Sequence, residues 1–378
     1  MILKKKDKLK LLFDPQGFKL PYGGVARYFT EMMYQATKNK NVEVIFPVVY
    51  SENYHLREKN LGPKNLLTIL NEKNYKYKFY LLKLVYKIQE TYTIFKIWQN
   101  NFDVFIPTYY IPFFVNHLKK PFVLTVYDMI HEKFPDYFPV HDKTISQKLL
   151  TMKAAAKIIA ISESTKNDIL ELYPEIPSQK IQVVYLAPSI EKGTILTTLP
   201  KKYLLFVGNR GLYKNFIRFF DAVVPLLQKD HDLVLLCAGG GTFYPHEIKS
   251  IEDNNLKSQV VQYRFKDSEL HDIYKNAIAF VFPSEYEGFG IPVLESMISG
   301  CPAILSNVSS LPEIGGDAAV YFDPYNVEDI RNKVEKVLTD ENLRSVMIEK
   351  GLRQAEVFTW EKTFEQFIAV AESVKIGG

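Results

Sequence analysis

Short, continuous apolar runs alternate along the chain with segments of helical periodicity. Runs of this kind are typical of parallel strands that helices bury on both faces. A first series of predicted strands comprises Lys10–Phe13, Val42–Tyr50, Val104–Ile106, Phe122–Tyr127, Ile158–Ile161 and Ile181–Tyr185. A second series comprises Tyr203–Val207, Leu233–Ala238, Val260–Tyr263, Ala279–Phe282, Pro302–Leu305 and Val320–Phe322. The sequence therefore predicts an α/β protein with two doubly wound domains.

A stretch with two prolines, three threonines and one glycine, residues 187–200, separates the two series and is typical of a linker. With 378 residues, the chain is long enough for each domain to bury its own core. We expect an N-terminal domain over residues 1–189 and a C-terminal domain over residues 200–358. Ligands of open parallel sheets bind at the carboxyl ends of the strands, so two such domains facing each other predict a site in a central cleft.

The charge of the chain is unevenly distributed. Of a net charge of +4, the first hundred residues carry 18 Lys and Arg against 8 Asp and Glu, which is +10 and leaves −6 for the remainder. Because the net charge of the whole chain is small and no nucleic-acid-binding motif is present, nucleic acid is not an expected partner.

The basic start MILKKKDKLKLLFD has no apolar core typical of a signal peptide. No apolar run is long enough to span a membrane, and the chain has only two cysteines. These features predict a soluble, cytoplasmic protein.

The densest group of functional residue types is PSEYEGFGIPVLE, residues 283–295, directly after a predicted strand. Gly288 and Gly290 allow close approach of a ligand to the backbone, and Pro292 suits the first position of a helix whose N-terminus favours an anion. Carboxylates such as Glu287 and Glu295 accept hydrogen bonds from hydroxyl groups. An anion-binding helix N-terminus beside carboxylates that accept from hydroxyls indicates a binding site for a sugar nucleotide. Chemistry alone is equally compatible with an ordinary turn followed by a helix whose acid favours the dipole.

The segment EGFGIPVLE resembles the Glu-x7-Glu motif of the retaining glycosyltransferases of family 4, and its flanking residues resemble that family as well. This resemblance implies the GT-B fold, in which two Rossmann-like domains face a central cleft. It also implies that Glu295 binds the ribose hydroxyls of the nucleotide and that Glu287 contacts the donor sugar. The backbone NH groups around Phe289, Gly290 and Ile291 would then hold the donor sugar and the diphosphate.

The segment VGNRGLYKN follows the first predicted strand of the second domain. An Arg and a Lys can stabilise the charge that develops on a departing diphosphate without a metal ion. Two solvated basic residues are the alternative interpretation. Because the segment resembles the diphosphate site of the family, the resemblance implies this catalytic and donor-binding role for Arg210 and Lys214. The triplet Asp230–Asp232 precedes a strand and is interpreted as a polar turn, so no metal or other cofactor is expected.

Two segments of the first domain also carry candidate site residues. In FKLPYGGVARYF, Gly23 and Gly24 leave room for substrate and match the glycine loop of the family, which faces donor and acceptor, so the resemblance implies that they bind the donor. In TVYDMIHEKFP, either Asp128 or His131 could take the proton of an acceptor hydroxyl, although an oxygen of the donor phosphate could also do so. Many relatives have His where Tyr127 stands, which leaves the identity of a base open.

Residues 73–98 interleave lysines with aromatic residues at helical spacing. One interpretation is a packed helix with a solvated basic face. The other is that the basic first domain contacts an anionic membrane to reach a lipid-linked acceptor. The apolar stripe predicted to pack into the core comprises Leu81, Leu84, Val85, Ile88, Tyr92 and Phe95.

Taken together, the resemblance implies transfer of a hexose from a nucleoside diphosphate sugar to a hydroxyl of a glycan or lipid-linked acceptor, with retention of configuration. It favours GDP-mannose as donor and surface polysaccharide or O-antigen assembly as the pathway. It also implies a C-terminal helix, within residues 359–378, that packs back on the first domain. A sugar-nucleotide epimerase on the same fold and a non-catalytic partner subunit are the alternatives.

Overall fold

The computed structural model describes residues 8–63, 75–190, 193 and 198–375. The start of the basic N-terminal segment, residues 73 and 74 of the predicted amphipathic segment and most of the linker stretch after residue 190 lie outside the described residues. The chain divides into two compact units. The first comprises Met1–Ile161, Lys166–Tyr185 and Trp360–Gly378, and the second comprises Ser162–Thr165 and Leu186–Thr359.

The first unit is built on parallel strands with helices between them. The strands pair in the orders β2-β1-β3 and β4-β5-β6, and a parallel bridge between Phe105 and Phe122 connects the two groups. The predicted strand over Val42–Tyr50 ends early because Pro47 has no NH to donate to a neighbouring strand. The strands are β1 (Leu9–Phe13), β2 (Val42–Ile45), β3 (Val104–Ile106), β4 (Val123–Val126), β5 (Lys157–Ala160) and β6 (Ile181–Val183). The helices are α1 (Gly24–Lys38), α2 (Tyr54–Glu58), α3 (Tyr75–Gln99), α4 (Ile130–Lys133), α5 (Thr144–Ala154) and α6 (Glu163–Leu172).

The face of α3 that packs into the first unit differs from the predicted one. Of the predicted stripe only Val85 is buried, whereas Leu84 is 56% exposed and Ile88 is 47% exposed. Polar Gln89 is buried instead, because its side-chain oxygen accepts hydrogen bonds from the backbone NH groups of Val49 and Tyr50, at 2.9 and 2.7 Å. These bonds satisfy two backbone NH groups of the loop after β2. They also place the face of α3 that carries Gln89 against the first unit. The predicted core stripe is therefore wrong, and its exposed members are Leu81, Leu84, Ile88, Tyr92 and Phe95.

The second unit has one parallel sheet with the order β12-β11-β10-β7-β8-β9. The order reverses between β7 and β10, which is the position where open α/β sheets bind ligands. The strands are β7 (Tyr203–Val207), β8 (Val234–Ala238), β9 (Val260–Tyr263), β10 (Ala279–Phe282), β11 (Ala303–Ser306) and β12 (Ala319–Phe322). The helices are α7 (Phe216–Lys229), α8 (Pro245–Asp253), α9 (Leu270–Lys275), α10 (Ile291–Ile298), α11 (Leu311–Gly315), α12 (Val327–Thr339) and α13 (Glu341–Ala355).

Aromatic side chains of α7 anchor the core of the second unit. Phe216, Phe219 and Phe220 are buried against Phe206 of β7, with ring centroids of Phe206 and Phe216 at 5.2 Å. Burial of each such side chain contributes roughly 1.5–3 kcal/mol. Since α7 begins immediately after the loop that carries Lys214, this packing fixes the position of that loop on the sheet.

The last helix, α14 (Trp360–Val374), belongs to the first unit and packs on α1. The Phe367 ring stacks on Phe13 at 6.3 Å, and the Gln35 side chain donates a hydrogen bond to Glu361 at 3.1 Å. None of the helices in the described part of the chain combines the length and apolar content needed to cross a membrane.

Candidate donor-binding site

Two loops of the second unit meet where the strand order reverses. They follow β7 and β10, and hydrogen bonds between them hold their backbones together. The NH of Glu285 donates to the carbonyl oxygen of Tyr213 at 2.7 Å. The side-chain amide of Asn215 donates to the carbonyl oxygens of Pro283 and Pro324, at 3.0 and 2.8 Å. These bonds fix the backbones of the two loops relative to each other, and the bond to Pro324 connects them to the loop after β12.

Lys214 and Glu287 form an ion pair across these loops. The lysine Nζ lies 2.6 Å from Oε1 of Glu287, and the Ser284 hydroxyl donates to the same oxygen at 2.6 Å. The Nζ also lies over the rings of Tyr213 and Phe282, at 4.9 and 5.4 Å from their centroids. Both charged side chains are largely but not fully buried. The structure thus brings two of the predicted catalytic residues together, with the ammonium group fixed from three sides.

Serines at the start of α11 organise the backbone of the Glu287 loop. The Ser309 hydroxyl accepts a hydrogen bond from the NH of Glu287 at 2.9 Å. The Ser310 hydroxyl lies 2.9 Å from the carbonyl oxygens of both Glu287 and Phe289. These bonds set the direction of the loop before it enters α10, so a ligand would meet a pre-formed surface.

Gly290 precedes α10 in a left-handed conformation, with φ of 99°. A Cβ at this position would lie 3.0 Å from the Leu311 side chain, so the close approach of the two loops also favours glycine. Pro292 is the second residue of the helix rather than the first. Glu295 lies about one turn further and is buried, with the Tyr274 hydroxyl donating to its Oε2 at 3.5 Å.

Arg210 has different partners from those expected. Its Nε lies 3.2 and 3.1 Å from the two carboxylate oxygens of Glu247, with both side chains buried. Its terminal nitrogens donate to the carbonyl oxygens of Gly239, Gly241 and Thr242, at 3.3, 3.2 and 2.8 Å. The guanidinium is enclosed and bonded to protein, and its contact with a diphosphate stays a prediction. The observed bonds connect Arg210 to the glycine loop after β8.

That glycine loop supplies a matched pair of substitutions. Gly240 and Gly241 both have left-handed φ values, +69° and +75°, and either alanine should cost about 1–2 kcal/mol in backbone strain. A Cβ on Gly240 would lie 2.2 Å from the carbonyl oxygen of Gly208, whereas a Cβ on Gly241 meets nothing within 4 Å. We therefore expect Gly240→Ala to lower the free energy of unfolding more than Gly241→Ala in urea titrations. Equal losses would contradict the close approach of the loops after β7 and β8.

The candidate acceptor residues lie in the first unit. Asp128 follows β4, and its Oδ1 accepts a hydrogen bond from the NH of Ile130 at 3.1 Å. Buried Lys148 donates to the carbonyl oxygen of Asp128 and to Oε2 of Glu132, both at 2.9 Å. The carboxylate of Asp128 is therefore oriented by the chain and remains partly exposed.

Two neighbours of Asp128 differ as candidates for a base. The Tyr127 hydroxyl donates to the carbonyl oxygen of Thr108 at 3.2 Å, and burial raises the pKa of Tyr127 well above its usual range. His131 stacks on Phe138 at 3.8 Å, and burial lowers the pKa of His131. Tyr127 thus stays protonated and faces the interior, which makes it a poor base, whereas the lowered pKa keeps His131 in the neutral form that can accept a proton.

Gly23 and Gly24 lie at the start of α1, in the same unit as Asp128. A Cβ added at either glycine would meet nothing within 4 Å, so the space beside this backbone is open. The remaining predicted site residues, from Arg210 to Glu295, belong to the second unit.

Sequence reasoning missed the residues that support the site. Asn215, Ser309 and Ser310 hold loops through side-chain bonds to distant backbone groups, which no local pattern indicates. Glu247 had a recognisable signal, because a Glu at the third position of a helix whose first residue is Pro245 is typical of a capping box. Its carboxylate does accept a bond from the NH of Tyr244 at 2.7 Å, in addition to pairing with Arg210.

Comparison with known proteins agrees with this architecture. Two Rossmann-like units, with a charged site where the second sheet reverses its order, are the architecture of the GT-B class of glycosyltransferases. Residues 22–189 match the family described as Glycosyltransferase Family 4, and residues 192–354 match the family described as Glycosyl transferases group 1. The chain belongs to these glycosyltransferases, which confirms the predicted fold and class.

Individual relatives share moderate or low identity with the chain. It is 25% identical over 390 residues to O-antigen chain mannosyltransferase B of Escherichia coli, covering 95% of this chain and 98% of the relative. It is 31% identical over 233 residues to the serotype-specific mannosyltransferase WbdA of Escherichia coli, but spans only 28% of that protein and 57% of its own length. The crystal structure of Anabaena HepE with UDP and glucose superposes with a TM-score of 0.72 at 13% identity, covering 97% of this chain and 100% of HepE. At this identity the structural likeness concerns the fold.

Proposed function

We propose that the protein transfers a hexose from a nucleoside diphosphate sugar to a hydroxyl of a glycan or lipid-linked acceptor, with retention of anomeric configuration. The observation that carries this proposal is the ion pair of Lys214 and Glu287, held at the reversal of the strand order beside the start of α10. A fixed cation next to a helix N-terminus is suited to the two negative phosphates of a sugar nucleotide.

In the proposed complex, the Lys214 ammonium contacts the diphosphate and the NH groups around Phe289, Gly290 and Ile291 complete its binding. Glu287 accepts a hydrogen bond from the sugar and keeps Lys214 in position. Glu295, one turn into α10, accepts hydrogen bonds from the vicinal ribose hydroxyls. Arg210 takes no direct part and shapes the loop after β8 instead.

The proposed reaction breaks the bond between the anomeric carbon and the β-phosphate oxygen, and it forms a bond from the acceptor oxygen to that carbon on the same face of the sugar. The acceptor proton passes to an oxygen of the leaving diphosphate, with Asp128 as the alternative proton acceptor. Negative charge develops on the diphosphate as the bond breaks, and Lys214 stabilises it more strongly in the transition state than in the substrate. No metal ion is needed in this scheme.

Mannose is proposed on the strength of the relatives, and GDP as its carrier on the resemblance of the sequence to family 4. Among the similar proteins, two of those named above are mannosyltransferases of Escherichia coli, one of which is assigned to the O-antigen chain. We extend this to the present chain as GDP-mannose and O-antigen assembly, with a lipid-linked glycan as acceptor. HepE binds UDP, so a UDP-sugar is the alternative donor.

The proposal is tested by melting temperatures in the presence of GDP, UDP, CDP or dTDP and their sugars, each measured with and without EDTA. A ligand that binds only the native state raises the melting temperature in proportion to the logarithm of its concentration. We expect GDP and GDP-mannose to raise it and the other nucleotides to have little effect. A shift seen only with UDP compounds would replace the donor, and a shift abolished by EDTA would contradict metal independence.

A product assay separates transfer from its alternatives. Incubation of GDP-mannose with protein and a mannose-terminated lipid-linked oligosaccharide is expected to give an extended glycan with an α-linked mannose. Formation of an isomerised sugar nucleotide without any acceptor would instead indicate an epimerase. Nucleotide binding without either product would favour a non-catalytic subunit.

A further inference from the structure

Arg218 connects three loops at the carboxyl ends of the strands of the second sheet. It lies in the first turn of α7, three residues after Asn215. Its Nη1 lies 2.6 Å from Oδ1 of Asn215, 2.7 Å from Oε1 of Glu285 and 3.3 Å from the carbonyl oxygen of Pro324. These three oxygens belong to the loops after β7, β10 and β12. Because an Nη atom carries two N–H groups, the two shorter contacts are the principal hydrogen bonds.

The residues that Arg218 bonds are neighbours of the Lys214–Glu287 ion pair along the chain. Asn215 directly follows Lys214, and Glu285 lies two residues before Glu287. The 2.6 Å contact of the ion pair therefore has a second connection beside it, between the same two loops. We name the three side chains of this connection, Asn215, Arg218 and Glu285, the Arg218 bridge.

Asn215 transmits the position of the Arg218 bridge to the backbone. Its amide nitrogen donates to the carbonyl oxygens of Pro283 and Pro324, at 3.0 and 2.8 Å, while its side-chain oxygen accepts from Arg218. Its backbone is left-handed, with φ of 57°, a conformation that Asn tolerates better than most residues. Since Lys214 is the preceding residue, a shift of Asn215 also moves the backbone of Lys214.

The charges of the Arg218 bridge are held in place before any ligand binds. The Glu285 side chain is only 10% exposed, and a carboxylate largely removed from water requires a cation or hydrogen-bond donors. The Arg218 side chain is 34% exposed, and its guanidinium lies 5.4 Å from the centroid of the Tyr325 ring. A carboxylate, an amide oxygen and an aromatic face thus define the position of the arginine.

Direct contact of Arg218 with a donor phosphate is the competing interpretation. A phosphate at Nη1 would have to replace Asn215 and Glu285, and the largely buried Glu285 carboxylate would lose its cation. Removing one partner of a buried ion pair is strongly unfavourable. The geometry therefore favours an arginine that bonds protein loops, and a nucleotide titration tests the alternative.

We propose that Arg218 is a positioning residue for sugar transfer. Through the Arg218 bridge it sets the separation of Lys214 and Glu287, and it contacts neither donor nor acceptor. Because the proposed reaction needs the Lys214 ammonium at the departing diphosphate, a shift of its loop lowers the stabilisation of the transition state. The inference rests on the proposed function of the Lys214–Glu287 pair and adds to it a residue that acts from outside the site.

Initial rates of transfer by two variants test this role. Arg218→Met is expected to lower kcat by about tenfold, less than the roughly 10²-fold loss that accompanies a 1 Å misplacement. KM for the donor should stay nearly unchanged, because Lys214 acts mainly in the transition state. Since all three contacts come from one nitrogen, Arg218→Lys should recover part of the lost rate. Transfer by Arg218→Met at the parental kcat would overturn the proposal.

A double-mutant cycle separates positioning from a general structural role. If Arg218 acts through Lys214, then adding Arg218→Met to Lys214→Ala should lower kcat little further. Loss by the same factor in both backgrounds would mean a merely structural role and would overturn the proposal. Circular dichroism spectra and melting temperatures verify that each variant is folded at the assay temperature.

Arg331 provides a matched control in the same unit. Its side chain is also 34% exposed and pairs with Glu328 at 3.7 Å, but both residues lie on one helix, α12. Arg331→Met removes the same charge as Arg218→Met and should leave kcat unchanged. Equal losses in the two variants would assign the effect to net charge and contradict the Arg218 bridge.

Calorimetric titration separates positioning from direct contact with the diphosphate. The probe is GDP or UDP, whichever raises the melting temperature of the parent. Arg218→Met should bind this nucleotide with the parental affinity, whereas loss of a direct hydrogen bond to a charged phosphate would weaken binding by about tenfold or more. The weaker binding would overturn the proposal.

NMR spectra of lysine-labelled protein test the Arg218 bridge without any transfer assay. The ammonium signal of Lys214, assigned by its loss in Lys214→Ala, should move in Arg218→Met and stay in place in Arg331→Met. An unchanged signal in Arg218→Met would refute the positioning of Lys214 by Arg218. Failure of the parent to transfer sugar would instead refute the proposed function, and the same spectra would still decide on Arg218.

Discussion

Replacing Lys214 by alanine is expected to lower kcat for sugar transfer by about 10²–10³, the usual effect of removing one group that stabilises transition-state charge. The Nζ is held 2.6 Å from Glu287 and above two aromatic rings, so it needs no rearrangement as the diphosphate departs. Its contribution should be larger in the transition state than in the bound donor. KM for the donor should therefore change much less than kcat, as measured by initial rates of transfer.

Two companion variants make this prediction specific. Lys229 also forms an ion pair, with Glu335 at 3.2 Å, but on an exposed surface, so Lys229→Ala should leave kcat unchanged. Glu287→Gln keeps the shape of the partner and removes its charge, so it should lower kcat while leaving the fold intact. Transfer by Lys214→Ala at the parental rate would refute the assignment of the site.

The sheets of both units could be predicted from the sequence because each strand is a short apolar run between turn residues. The strands Val104–Ile106, Tyr203–Val207, Val260–Tyr263 and Ala279–Phe282 have the predicted boundaries. The strand from Val42 ends before its apolar run does, since hydrogen bonding rather than hydrophobicity defines a strand and Pro47 cannot donate. Apolar patterning thus located the strands better than it located their ends.

Helix α3 shows where patterning fails. The helix is apolar around much of its circumference, so periodicity alone cannot identify the face that packs inward. The choice depends on Gln89, whose side chain is buried because it bonds the NH groups of Val49 and Tyr50 some forty residues earlier in the chain. Such a tertiary hydrogen bond leaves no local signal in the sequence.

The candidate site shows the same division between local and distant information. Glu287, Gly290 and Glu295 lie on one segment, and their relation to the start of α10 follows from spacing alone. The partner of Arg210 is Glu247, 37 residues later in the chain. From the sequence alone, a basic residue after a strand could equally bind a ligand or form an ion pair with a buried acid. Only the three-dimensional structure separates Arg210 from Lys214, which lies four residues further along the same loop.

The burial of Arg210 beside Glu247 leads to the second large effect that we expect, which is a loss of stability rather than a change in kcat. Arg210→Ala leaves the Glu247 carboxylate buried without its cation, and breaking a buried pair in this way costs about 3–5 kcal/mol. It also removes the donors to the carbonyl oxygens of Gly239, Gly241 and Thr242. Urea titration should show a much lower free energy of unfolding, and the melting temperature should fall accordingly.

Comparison with an exposed arginine tests whether burial is the cause. Arg353 pairs with Glu349 at 3.0 Å on the surface of α13, and Arg353→Ala should change the free energy of unfolding by less than about 1 kcal/mol. Replacing both partners of the buried pair, as Arg210→Met with Glu247→Leu, should recover part of the stability lost in Arg210→Ala, because no buried charge is left unpaired. A stable Arg210→Ala with reduced kcat would instead mean that the arginine leaves Glu247 to contact the diphosphate.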